Sequence, residues 1–135
     1  MSLGRHVWSY RFLSWGLGAV FLWIGIDIWR HPDLWIGYVP EALPLGISRD
    51  FALKANGVFD IGVGLGLIAG VFPRIISLLA VLHLAGILLT SRVDAVLARD
   101  IGLLGASLSL FAWPHGYRRR WKLFRKRRKS SESGE

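Results

Sequence analysis

The chain has no cysteine and a single methionine in 135 residues. Without thiols there is no disulfide framework, no thiol redox chemistry and no cysteine-zinc site. Acidic residues are also scarce, nine against 17 Lys plus Arg. No Ser/His/Asp order, phosphate loop, dinucleotide fingerprint or metal-binding spacing is present. Gly62-x-Gly64-x-Gly66 is the nearest approach to a nucleotide fingerprint. It lies inside an apolar run with no strand before it, which excludes that reading. The abundant material is apolar. Counting glycine in place of tyrosine, about 62% of the chain is apolar, against about 45–50% in soluble domains. That composition excludes disorder for the body of the chain and argues against a soluble domain.

The net charge of +8 is not spread over a face. Nine basic residues fall between Arg118 and Lys129, so the stretch from Tyr117 to Glu135 carries +7 and residues 1–116 carry +1. A nucleic-acid domain distributes its basic residues over a folded core. A basic run placed directly after an apolar segment, beside Trp113, Pro114 and Trp121, reads instead as a cytoplasmic membrane flank. Arg118, Arg119, Arg120, Lys122, Arg125, Lys126, Arg127, Arg128 and Lys129 are the expected contacts to anionic lipid head groups. The last six residues, Ser130 to Glu135, read as disordered.

Four apolar stretches stand out: Phe12–Trp29, Phe51–Phe72, Ile75–Thr90 and Val96–Trp113. As helices they span about 24–33 Å, close to the hydrocarbon thickness of about 30 Å. The first runs into Trp29, Arg30, His31 and Pro32 with no Ala-x-Ala pattern, so it is expected to be a retained helix and not a signal peptide. Pro73 suits the first turn of the third helix. Val71-Phe72-Pro73-Arg74 and Ser91–Ala95 read as tight connections. The link from His31 to Asp50 is longer and holds Pro32, Pro40 and Pro44. Its Trp35, Ile36, Tyr38 and Val39 suggest a segment packed at the membrane interface.

The expected architecture is therefore an all-α, transmembrane four-helix bundle over residues 1–116. A proline-containing outer loop follows its first helix, and a basic cytoplasmic tail covers residues 117–135. Arg5, Arg11, Arg74 and the nine tail residues share one side. Arg30, Arg49, Lys54, Arg92 and Arg99 share the other. The imbalance of twelve to five puts both termini in the cytoplasm, in a plasma or inner membrane. Six of the seven tryptophans fall near span ends, where indole rings prefer to sit. Gly62, Gly66 and Gly70 repeat every four residues on the second helix, and Ala98, Gly102 and Ala106 do so on the fourth. Both stripes are expected packing faces.

These blocks, in order, resemble the DoxX-like family of small four-helix membrane proteins. The first is Arg11-Phe-Leu-x-x-Gly16-x-Gly18 through Phe21-Leu-Trp-x-Gly25. The second runs from His31-Pro-Asp to Val39-Pro40. The third is Gly57-x-x-Asp60-x-Gly62-x-Gly64-Leu, closed by Gly70-Val-Phe-Pro-Arg74. The fourth is Leu97-Ala-Arg99-Asp100-Ile-Gly-Leu-Leu. The resemblance covers about residues 10–113. It implies the four-helix fold and two kinds of role, as a subunit of quinone-linked oxidoreductases or as an organiser of membrane redox proteins. Two positions depart from the family pattern. Asp27 stands where a basic residue is frequent, and Asp60 where Glu is frequent.

The polar residues within the spans are the candidates for chemistry. Asp60 lies mid-span, where a bare carboxylate costs at least about 2.5–3.5 kcal/mol, so it must face inward and be paired or protonated. Asn56 shares its face, four residues earlier. His83 sits in the middle of the third helix. It reads as an interhelical hydrogen-bonding residue or as a proton relay with Asp60. No second His, Cys or Met lies at a spacing that would support a metal or haem site with it. Arg99 and Asp100 are adjacent on a helix and so are not expected to face each other. Arg99 is expected to reach Asp60 or Asp27. Asp27, Arg30, His31, Asp33 and Glu41 cluster near the outer surface, as solvated loop chemistry or as a docking surface.

Two functions follow. One is a small integral subunit or scaffold of a membrane-bound, redox-linked complex, with lipid and other membrane subunits as partners. The other is a quinone-interacting subunit of a membrane oxidoreductase that uses the intramembrane Asp, His and Arg. No cofactor motif is recognisable, and quinone is the cofactor class that the resemblance admits. Whether the chain is itself an enzyme stays open.

Overall fold

A computed structural model describes residues 3–90 and 95–113, with side chains from 7 to 89 and from 95 to 113. The basic tail, with its expected lipid contacts, and most of the Ser91–Ala95 turn lie outside the described residues. Among those residues the chain is helical throughout, with no strand. Helix α1 covers Leu3–Arg30, α2 Pro32–Trp35, α3 Arg49–Ala69, α4 Pro73–Thr90 and α5 Ala95–Ala112. Two short 3₁₀ turns, Ile36–Tyr38 and Pro44–Gly46, complete the link between α2 and α3.

Local chemistry sets these boundaries. Pro32 has no N–H to give and restricts His31 before it, so α1 stops and a new short helix starts at the proline. Ser48 caps α3: its Oγ accepts from the Phe51 N–H at 3.3 Å, with Asp50 in the first turn. Gly70 ends α3 in the left-handed region, φ 69°, a conformation glycine adopts without steric cost. The expected tight connection follows, and Pro73 opens α4.

The four long helices pack as two pairs, α1 with α3 and α4 with α5, and the pairs meet through α3 against α4 and α1 against α5. The α1–α3 contact is backbone on backbone. A Cβ placed on Gly18 would lie 2.9 Å from the Gly64 carbonyl, and one on Gly25 would lie 2.7 Å from that of Gly57. Both pairs are spaced by seven residues, two turns of helix, so each presents one flat face. The expected stripes divide between inward and outward positions. Gly62 has nothing within 4 Å, Gly66 meets the Ile76 side chain, and Gly70 is the helix terminator. On α5, Gly102 faces open space, Ala98 is exposed, and only Ala106 packs against the core.

The larger core cluster joins Leu17, Phe21, Val63, Leu67, Ala80, Leu84 and Leu110 from all four long helices. Buried serines are satisfied by carbonyls: Ser14 donates to Leu67 at 2.8 Å, Ser77 to Pro73 and Ser107 to Leu103. In a low-dielectric interior an unpaired hydroxyl would be costly.

Outward faces are also apolar. Trp23 is 72% exposed at the middle of α1, as is Leu82 at 61% in α4 and Ile101 at 57% in α5. Continuous exposure on this scale suits lipid rather than water. Three helical stretches are long and apolar enough to cross a membrane: Val7–Arg30, Arg49–Ala69 and Ala95–Ala112. The fourth apolar helix, α4, runs for 18 residues, Pro73–Thr90, with His83 near its middle.

Candidate functional site: a polar-walled cavity between the helix pairs

The seam between the helix pairs opens into a cavity of about 430 Å³. All four long helices line it. Phe21, Ile24 and Ile28 come from α1, and Leu53 from α3. Ile87 comes from α4 and Leu103 from α5. Its size and largely apolar lining are those of small-molecule sites, which run to about 300–1,000 Å³.

One wall is polar. Asn56 and Asp60 on α3, His83 on α4, and Arg99 and Asp100 on α5 all line the same space. Helix periodicity brings Asn56 and Asp60 together: the Asn56 amide donates to Asp60 Oδ2 at 3.2 Å. The other carboxylate oxygen, Oδ1, lies 3.1 Å from His83 Nε2 on the neighbouring helix. The Asp60 side chain is 4% exposed and that of His83 17%. The two atoms stand at ion-pair distance, yet neither Oδ1 nor Nε2 completes a hydrogen bond. Phe59 holds the ring in place, with centroids 4.5 Å apart and planes at 37°.

Arg99 behaves differently from the sequence expectation. Its Nε and Nη2 both lie 2.9 Å from Oδ1 of Asp100, and neither Asp60 nor Asp27 receives them. Adjacent Cβ atoms diverge on a helix, but the long arginine chain swings back over the short Asp100. The guanidinium also lies 5.6 Å from the centroid of Trp35, close enough for a cation–π contact.

Trp35 belongs to the outer segment, which covers the cavity. Trp35, Tyr38, Val39, Pro40 and Leu43 contribute to its lining. Two attachments hold the segment down. Trp35 Nε1 donates to Asp27 Oδ2 at 2.9 Å, while Asp27 Oδ1 meets His31 Nδ1 at 2.9 Å. Arg49, in the first turn of α3, donates to the carbonyls of Ile36 at 2.6 Å and Val39 at 2.9 Å. Asp27 therefore stands outside the cavity and acts on it through Trp35.

Five of the six expected site residues thus share one cavity. Arg49 was counted only as an outer charge, and its second role was missed. One signal was available. A cation in the first turn of a helix opposes the helix dipole, so a basic residue there has another partner.

Among the described residues no group of three His, Asp or Glu side chains is placed to hold a metal ion. Compared with protein-family models, curated proteins and solved structures, the chain matches none of them.

Proposed function

We propose that the protein is a small integral membrane subunit, or scaffold, of a membrane-bound, redox-linked complex. The observation that carries this reading is the outward face of α5. Ala98, Gly102, Gly105, Ser109 and Ala112 are all exposed and recur every three or four residues. Gly102 and Gly105 have nothing within 4 Å. Small residues on a lipid-facing surface let another helix approach to backbone distance, which is what drives association where hydrophobic burial does not. The redox part rests on the DoxX-like resemblance of the sequence blocks. In this reading the four long helices form a transmembrane bundle with both termini in the cytoplasm of a plasma or inner membrane, and the basic tail binds anionic lipid.

A single Gly105→Cys substitution tests it, because the chain has no other cysteine. Cross-linking in native membranes should give a discrete adduct with a second, different membrane subunit. Monomer alone, or an adduct containing only this chain, would sink the docking role.

The cavity favours a second reading, as a quinone-interacting subunit. A ring fits an apolar space of this size, and the orphaned polar atoms of Asp60 and His83 suit a ligand with a polar head. A bound quinone would supply electron and proton transfer. The chain would supply Asp60 and His83 as proton-accepting groups, Asn56 to orient the carboxylate, and the Trp35 segment to exclude water. Saturable binding of a short-tailed benzoquinone or its hydroquinone to the chain in nanodiscs, above that of empty discs, is the expected result. Neither binding would remove this reading.

A further inference from the structure

We propose that the cavity selects the hydroxyl-bearing form of its ligand, a phenol or hydroquinone head, over the carbonyl-only dione. This deepens the second reading above and rests on it. Asp60 and Asp100 contribute two carboxylates to the polar wall. Beside them, the Asn56 amide gives one hydrogen to Asp60 Oδ2, and the Arg99 Nε and Nη2 are directed to Asp100 Oδ1. Arg99 is further held over the Trp35 ring.

The two atoms left over are Asp60 Oδ1 and His83 Nε2, buried and 3.1 Å apart, with neither completing a hydrogen bond. A hydroxyl is donor and acceptor in one atom. With Nε2 protonated, it can therefore give a hydrogen bond to the carboxylate and receive one from the imidazole. A dione carbonyl only accepts. It leaves the carboxylate oxygen unpaired in an apolar surround, and sites built to pair a hydroxyl discriminate strongly against analogues that lack it. The apolar remainder of the cavity takes the ring and the first part of an alkyl tail. Phe21, Ile24, Ile28 and Leu103 supply that surface.

The experiment uses the full chain in nanodiscs and three probes with the same alkyl tail: a hydroquinone, the matching benzoquinone and the hydroquinone dimethyl ether. Saturable binding is measured above that of empty discs. The hydroquinone should bind at least about tenfold more tightly than either of the others, the margin expected for one hydrogen bond to a charged group. Equal or tighter binding of the benzoquinone overturns the inference and leaves a quinone site standing. Failure of all three to bind overturns both. Asp60→Asn keeps the shape and adds donors, so the ratio should move toward the benzoquinone. A folded Asp60→Asn protein with the wild-type ratio overturns the role given to Asp60. The comparison of ligands on the unaltered chain does not depend on that variant folding.

Discussion

Gly62 and Gly64 are two residues apart and have opposite surroundings. A Cβ on Gly64 would sit 2.7 Å from the Gly18 carbonyl, while one on Gly62 meets nothing within 4 Å. Two residues on a helix are about 200° apart, so one faces α1 and the other faces outward. Alanine at position 64 must therefore separate two backbones that have no flexible side chain to yield. We expect Gly64→Ala to destabilise the protein by about 1–3 kcal/mol, the usual cost of overpacking. Gly62→Ala should be neutral or stabilising by up to about 1 kcal/mol, because alanine is the better helix former. Thermal unfolding of both variants in the same detergent checks the pair. Equal melting temperatures would mean that the Gly18–Gly64 approach does not hold α1 to α3. Asp60 and His83 were visible in the sequence because any ionisable group in an apolar run must be accounted for. The Arg99–Asp100 pair was not, since helix geometry predicts the direction of a Cβ but not where a four-carbon-long side chain finishes.

At the level of elements, all four long helices were legible from their apolar runs, and the start of α4 from Pro73; the Ser48 and Gly70 caps of α3 were not read from the sequence. The helix faces were less so. A repeat of four along α3 selects Gly62, Gly66 and Gly70, whereas the contact uses a repeat of seven matched by Gly18 and Gly25 on another helix. One sequence read along one helix does not contain that match. It has to be found by aligning two helices. The outer segment was legible only as an interfacial piece. Its place over the cavity depends on Arg49 and Asp27, which lie on separate helices and are brought to it by the packing of α1 on α3. Arg49 makes a specific prediction. Its two bonds to the Ile36 and Val39 carbonyls come from a charged donor, each contributing about 1.5–3 kcal/mol when well formed. Arg49→Met keeps the alkyl stem and removes both. Amide hydrogen exchange across residues 36–43 should accelerate at least about tenfold, with α4 and α5 unchanged. Unaltered exchange would show that Trp35 and its Asp27 bond suffice to hold the segment.

For the whole molecule, the question is which side of the membrane each end of the cavity faces. The outer segment, with His31, Asp33 and Glu41, caps one end of the helix pairs. The α3–α4 connection at residues 70–72 lies at the other. In the topology proposed above, from the twelve-to-five distribution of Lys and Arg, the connection and both termini would face the cytoplasm and the cavity cover the opposite side. That assignment also fixes where a water-soluble partner would meet the lid and where the basic tail would meet anionic lipid. The absence of cysteine makes it directly measurable, since any introduced thiol is the only one in the chain. Glu41→Cys should react with a membrane-impermeant maleimide in intact cells. Ser131→Cys should react only after the membrane is opened. The reverse pattern would invert the molecule. Labelling of both in intact cells would place the ends on different sides, and would mean that α4 does not complete a crossing. That outcome would leave three spans, α1, α3 and α5. The His83 wall of the cavity would then stand on a helix inserted part-way into the bilayer.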